Sequence, residues 1–159
     1  MLDLAEGLRV LDLCDERGEV ASWLLARLGA SVIKVEPPGG CASRRSDVVD
    51  GCGADEQGQS LRFNAYNHDK HSIVLDSEQP EDRATFHGLA IHADIIFDCS
   101  AAATDSSGAE SDLVTVPGRL QSFGFDPDWA ENSNRPVVSV LVTPFGRSGP
   151  RATQPSSEL

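Results

Sequence analysis

Two groups of residues in this chain have types and spacings that can do chemistry. Phe145-Gly146-Arg147-Ser148-Gly149-Pro150 sets two glycines around an arginine. Glycines let backbone N–H groups approach an acyl or phosphate oxygen closely, and Arg147 adds positive charge. The spacing is neither a P-loop nor a G-x-G-x-x-G fingerprint, so taken alone the loop also reads as a turn. Arg44-Arg45, just after Pro37-Pro38-Gly39-Gly40, is a basic pair that suits phosphate or simply meets solvent. His68 and His71 are three apart and would face one way on a helix, but no cysteine or third ligand stands near them, so no metal site is expected. His87 and His92 show no partner pattern. Cys14, Cys41, Cys52 and Cys99 form no C-x-x-C pair, and their spacing reads as free, inert thiols.

The elements that must position these residues follow a βαβ rhythm. Leu8 to Leu13 is a short β-rich run, and Val20, Trp23, Leu24 and Leu28 recur at helical spacing as one apolar stripe with Leu25 at its edge. Gly29 then marks the helix end. Ser31 to Glu36 is a second β run, stopped by the Pro-Pro-Gly-Gly stretch. Strand, helix and strand within so short a stretch predict a right-handed crossover and a parallel sheet. Order resumes at Leu61 to Asn67 after a polar, Gly-rich loop over 41–59. Ser72 to Asp76 makes a third strand, Ser77 caps a helix carrying Phe86, Leu89 and Ala90, and Ala93 to Asp98 makes a fourth strand. A flexible loop is expected over 101–111. Pro136 to Val142 is almost continuously apolar, the pattern of a central strand buried on both faces. The glycine loop leaves its carboxyl end, where open α/β sheets place ligands.

Composition narrows the function. At 159 residues the chain is one domain by length, and its 40% hydrophobic and 24% charged residues are ordinary for a globular fold. Its net charge of −12 repels a phosphate backbone, which disfavours nucleic-acid binding. No apolar run reaches membrane-helix length and the first residues lack a basic signal-peptide start, so no membrane contact and a cytoplasmic location are expected.

Five collinear blocks carry a resemblance. They are Gly7 to Leu13; Leu25 through Gly40; Phe63-Asn64-Ala65-Tyr66-Asn67-His68-Asp69-Lys70-His71 through Asp76; Ala93 to Ile96; and Asn134 through Pro150. Together they resemble the amino-terminal part of family III CoA-transferases, the group that includes carnitine CoA-transferase, formyl-CoA transferase and α-methylacyl-CoA racemase. The resemblance implies an α/β, Rossmann-like fold with a mostly parallel sheet and flanking helices, residues 1–159 forming one amino-terminal portion of a large domain. It also implies a homodimer or a complementing chain, since members interlock as dimers. Apolar surface that other segments cover in the longer members then favours self-association.

The chemistry the resemblance implies uses coenzyme A as ligand and substrate, with acyl-CoA and a carboxylic acid as the reacting molecules and no metal. In the family an aspartate attacks the thioester, giving a mixed anhydride and then an aspartyl-CoA thioester. Counting on from Pro150, the matching position is Glu158, whose extra methylene would move the nucleophile by roughly 1 Å. The CoA-binding residues implied are Asn67, Lys70 and Arg44 with Phe145, Gly146 and Gly149 of the loop. Where relatives show Asn-x-x-Pro-Gly after the fourth strand, this chain has Cys99-Ser100-Ala101-Ala102. Two further readings therefore stand beside a transferase that is incomplete or inactive on its own: a non-catalytic CoA-binding or protein-interaction module, and a racemase of the same family.

Overall fold

The computed structural model describes residues 3–46, 60–99, 118–125, 129, 135–146 and 148–152. The first strand, β1 (Arg9–Asp12), alternates side chains between two buried faces, and β2 (Ser31–Glu36) pairs parallel to it. Between them lies α1 (Glu19–Arg27). Gly29 closes the helix at φ +102°, a left-handed angle that favours glycine. A 3₁₀ turn at Ala42–Arg44 opens the stretch expected to be a loop, and its remainder, 47–59, lies outside the described residues. The helix α2 (Leu61–Asn67) is capped by Ser60, whose hydroxyl accepts from the Phe63 amide. Then follow β3 (His71–Val74), α3 (Pro80–Ala90), β4 (Ile95–Cys99), α4 (Arg119–Ser122) and β5 (Val138–Val142).

All four strand pairings are parallel, in the order β3-β2-β1-β4-β5. This is the α/β, Rossmann-like sheet that the sequence predicts. The chain moves outward from β1 to β3 and returns to build β4 and β5 on the other side. Right-handed crossovers therefore put α1 and α2 on one face, and α3 and α4 on the opposite face. The core divides accordingly. On the α1 face Val10, Val32, Phe97 and Cys99 pack with Ala21, Leu25 and Ala26. On the other face Leu11, Leu13, Val35 and Ile96 pack with Phe86, Leu120, Phe123 and Phe125. Phe86 is fully buried and stacks on Phe123 with ring centroids 4.2 Å apart. Truncating such a ring costs about 3–5 kcal/mol.

Four details differ from the sequence reading. Among the described residues β5 is an edge strand rather than a central one, and Val138 is 56% exposed. Its apolar run reflects two faces that need cover, which strand order alone does not supply. The α1 stripe points outward: Val20, Leu24 and Leu28 are exposed, while Glu19 and Ser22 face the sheet. A buried ion network on the sheet claims that side of the helix. β3 begins one residue earlier than predicted and ends at Val74. The α3 cap is Gln79 without a side-chain bond, because Pro80 starts the helix and Asp82 turns back to accept the Asp76 amide at 2.8 Å. The loop expected over 101–111 lies outside the described residues.

Candidate functional site

The strand order reverses between β1 and β4, so the chain leaves their carboxyl ends in opposite directions, the position at which open α/β sheets bind ligands. The loop after β1, the last residues of β4 and the start of α4 meet at this point. The Arg119 guanidinium donates to the carbonyls of Leu13 at 2.8 Å and Val35 at 3.3 Å. The Asp98 carboxylate accepts the amides of Arg119 at 2.9 Å and Leu120 at 3.0 Å. Burial raises the Asp98 pKa, and the two amides draw it back only in part. Gly118 is required here, because a methyl group would overlap the Asp98 carboxylate.

Beside this point, four opposite charges are buried together on the α1 face. Asp12 and Lys34 are register partners on β1 and β2, Glu19 opens α1, and Lys70 precedes β3. The Lys34 ammonium donates to Glu19 Oε1 at 2.8 Å and to the Cys14 carbonyl at 2.8 Å, with Asp12 at 3.8 Å. Lys70 donates to Asp12 Oδ2 at 2.8 Å, the Glu19 carbonyl at 2.9 Å and Asn67 Oδ1 at 2.9 Å. Ser22 donates to Asp12 and Ser43 donates to Glu19, each at 2.6 Å. The side chains of Asp12, Glu19, Lys34 and Lys70 are at most 1% exposed.

Burial would lower the Lys34 pKa, but Asp12, Cys41 and Glu19 reverse this and raise it. For Lys70 burial prevails over Asp12, and the pKa falls. A neighbouring cluster holds Glu36. Arg44 donates to both of its oxygens at 2.6 Å, Ser72 donates at 2.5 Å, and the Cys41 amide at 3.0 Å. Burial pushes the Glu36 pKa up, yet these donors override it and bring it to about 2.

The structure thus gathers Asn67, Lys70 and Arg44 at the ends of β1 and β2. Lys70 is not a turn lysine open to solvent, since its three N–H donors all have protein acceptors. Asn67 is buried and also donates to the Phe63 carbonyl at 2.9 Å. Arg44 lies over the Phe63 ring at 4.3 Å and keeps 29% of its side chain exposed. The glycine loop stands apart, beyond β4 at the end of β5. There Phe145 is 43% exposed, the Gly146 amide donates to Thr143 Oγ1 at 2.8 Å, and Gly146 and Gly149 have φ of +91° and +116°. Arg147 and Glu158 lie outside the described residues.

Sequence reasoning passed over Asp12, Glu19, Lys34 and Glu36. The signal was a charged residue inside a β run, as in Leu11-Asp12-Leu13 and Ile33-Lys34-Val35-Glu36. Buried charges in such runs need partners. Cys14, Cys41 and Cys99 are free and buried, and Cys52 lies outside the described residues. The Cys14 pKa is raised, first by its hydrogen bond with Cys99 and then by burial, which leaves it a poor nucleophile. Among the described residues no three His, Cys, Asp or Glu side chains are grouped to hold a metal, and no helix is long and apolar enough to cross a membrane.

Comparison with known proteins adds to this geometry. The sequence profile of CoA-transferase family III matches residues 5–159. A probable CoA-transferase of Mycobacterium tuberculosis is 33% identical over 154 residues, which are 96% of this chain and 16% of that protein. The succinyl-CoA:(R)-benzylsuccinate CoA-transferase subunit BbsE of Thauera aromatica is 32% identical over 95% of this chain and 33% of its own length. The crystal structure of a CAIB/BAIF family protein from Brucella suis superposes with a TM-score of 0.73 at 26% identity, over 96% of this chain and 36% of that one. The chain therefore spans about a third or less of the length of these relatives.

Proposed function

The chain belongs to CoA-transferase family III, and on that premise we propose that it binds CoA at the carboxyl ends of its strands and takes part in moving CoA from an acyl-CoA to a carboxylic acid. The single observation that carries this reading is the reversal of strand order between β1 and β4, the place where open parallel sheets hold nucleotide-bearing ligands. The loop of Phe145, Gly146 and Gly149, one strand away, offers an exposed aromatic ring and, at its two glycines, close backbone approach to the pantetheine and thioester. Arg44, with an exposed edge, meets a phosphate. Asn67 and Lys70 serve the same ligand by holding the end of β1 and the start of α1 in place, since their polar atoms are already paired.

In this proposal Glu158 is the nucleophile. Its carboxylate attacks the acyl carbon of the thioester, the C–S bond breaks, CoA leaves as thiolate and a mixed anhydride forms. The thiolate then attacks the glutamyl carbonyl, the first carboxylate departs and a glutamyl-CoA thioester remains. The acceptor carboxylate runs the two steps in reverse and regenerates Glu158. Compared with aspartate, the longer side chain lowers the rate by a factor on the order of 100. The test is incubation of the full chain with an acyl-CoA, followed by peptide mass mapping. A CoA adduct on Glu158 that disappears in Glu158→Gln supports the transferase.

A second reading, a CoA-binding module without turnover, is favoured by Cys99-Ser100-Ala101-Ala102 where relatives carry Asn-x-x-Pro-Gly. It predicts CoA binding with no adduct.

A further inference from the structure

Two buried cysteines that the reaction does not use meet where β1 and β4 end. The parallel register pairs Asp12 with Phe97, and the Leu13 amide continues the ladder by donating to the Phe97 carbonyl at 2.9 Å. Two residues further along each strand stand Cys14 and Cys99, 0% and 2% exposed, in one apolar cluster on the α1 face. Neighbouring strands lie about 4.8 Å apart, inside the span of about 4.4–6.8 Å that a disulfide needs between Cα atoms. Gly18, which enters α1, shows how near the sulfurs are. A methyl group there would stand 2.4 Å from Cys14 Sγ and 3.3 Å from Cys99 Sγ, so both sulfurs border one small space.

The side chains are also connected. The Cys14 thiol donates to Cys99 Sγ, and the Cys99 thiol donates to the Asp15 carboxylate. Arg17 holds that carboxylate at 2.6 Å, and Asp15 is 33% exposed, so a single side chain links the buried pair to solvent. The third described cysteine has no such place, since Cys41 Sγ points at the Cys14 carbonyl oxygen, 3.8 Å away, rather than at a sulfur.

We propose that Cys14 and Cys99 are a dithiol–disulfide pair, a modification site that hydrogen peroxide closes and small thiols reopen. Cys99 Sγ attacks one peroxide oxygen, the O–O bond breaks, and the Cys99 proton, passed through Asp15, leaves with the other oxygen as water. Cys99 is then a sulfenic acid. Cys14 Sγ attacks that sulfur, the S–O bond breaks, and the Cys14 proton leaves with the hydroxyl as a second water. Together the two sulfurs give up two electrons, which the peroxide oxygens take. The order of attack follows from the hydrogen bonds: the bond to Cys99 and burial keep the proton on Cys14, so this sulfur resolves the intermediate rather than starting the reaction. The new bond fastens the loop that leaves β1 to the end of β4.

The test treats the full, folded chain with hydrogen peroxide, blocks the remaining thiols with iodoacetamide and maps the peptides by mass. The expected product is lighter by two hydrogens, has its Cys14 and Cys99 peptides joined, keeps its circular dichroism and returns to the parent mass with dithiothreitol. In Cys14→Ala, dimedone labels Cys99 as the trapped sulfenic acid. Cys41→Ala leaves the disulfide unchanged. Hydrogen exchange at the Arg17 and Gly18 amides slows in the oxidised chain, because the loop is then tied at its base. A folded chain that keeps both thiols under peroxide overturns the proposal, and so does a disulfide that joins Cys41, Cys52 or two chains. Dimedone on Cys41 instead of Cys99 in Cys14→Ala, or exchange at Arg17 and Gly18 that is no slower after oxidation, overturns it as well.

Discussion

Replacing Lys34 with methionine keeps most of the side-chain volume and removes one charge from the middle of a buried network. Glu19, 1% exposed, is then left with the Ser43 hydroxyl, and the Cys14 carbonyl loses its donor. Removing one partner of a buried ion pair costs about 3–5 kcal/mol, because the remaining charge stays desolvated without its partner. Against a typical stability of about 5–15 kcal/mol this is a large fraction. In a chain of 159 residues it corresponds to a fall of roughly 10–15 °C in Tm. Urea unfolding followed by circular dichroism, at low micromolar protein, measures it. Glu19→Gln alone is also destabilising, and the double variant Lys34→Met/Glu19→Gln is more stable than the sum of the single losses implies, by at least about 1 kcal/mol. A Lys34→Met cost below about 1 kcal/mol, or strictly additive single variants, would refute the claim that the network is a paired structural frame.

Two other outcomes follow from the same geometry. The Glu36 pKa is about 2 when folded, against 4.5 for the free side chain, so its contribution is fully present above pH 4.5 and is lost as pH falls toward 2. The shift corresponds to about 3 kcal/mol, and Glu36→Gln flattens the acid limb of a stability profile measured by urea unfolding between pH 6 and pH 3. Gly118→Ala forces its methyl group against the Asp98 carboxylate and costs about 2–3 kcal/mol, as the part-buried Arg119 amide and the buried Leu120 amide at the start of α4 lose their acceptor. A thermal melt within 2 °C of the parent would contradict that value.

The first βαβ unit and the parallel sheet were legible because their signals are local. Short β-rich runs, a glycine at the end of α1 and the Pro-Pro-Gly-Gly stop each act within a few residues. The place of β5 was not legible, because an apolar strand carries the same pattern whether its neighbour is present or not. The orientation of α1 was misread for a related reason. Its hydrophobic period is real, but the face that meets the sheet is set by two residues on other elements, Lys34, which pairs with Glu19, and Asp12, which accepts from Ser22. Of the residues expected near CoA, Asn67, Lys70 and Arg44 lie together while Phe145, Gly146 and Gly149 lie apart at the end of β5, and the commitment of Lys70 to Asp12 depends on a pairing across 58 positions that no local pattern encodes.

The most direct test of the central claim is titration of the isotope-labelled chain with CoA, read from backbone amide resonances. The account predicts saturable shifts at residues 13–18, at Asp98 and Cys99, and over 143–149, with little change at Ile91. Absence of shifts at millimolar CoA, or shifts confined to the amino ends of the strands around Arg9 and Asp94, would contradict it.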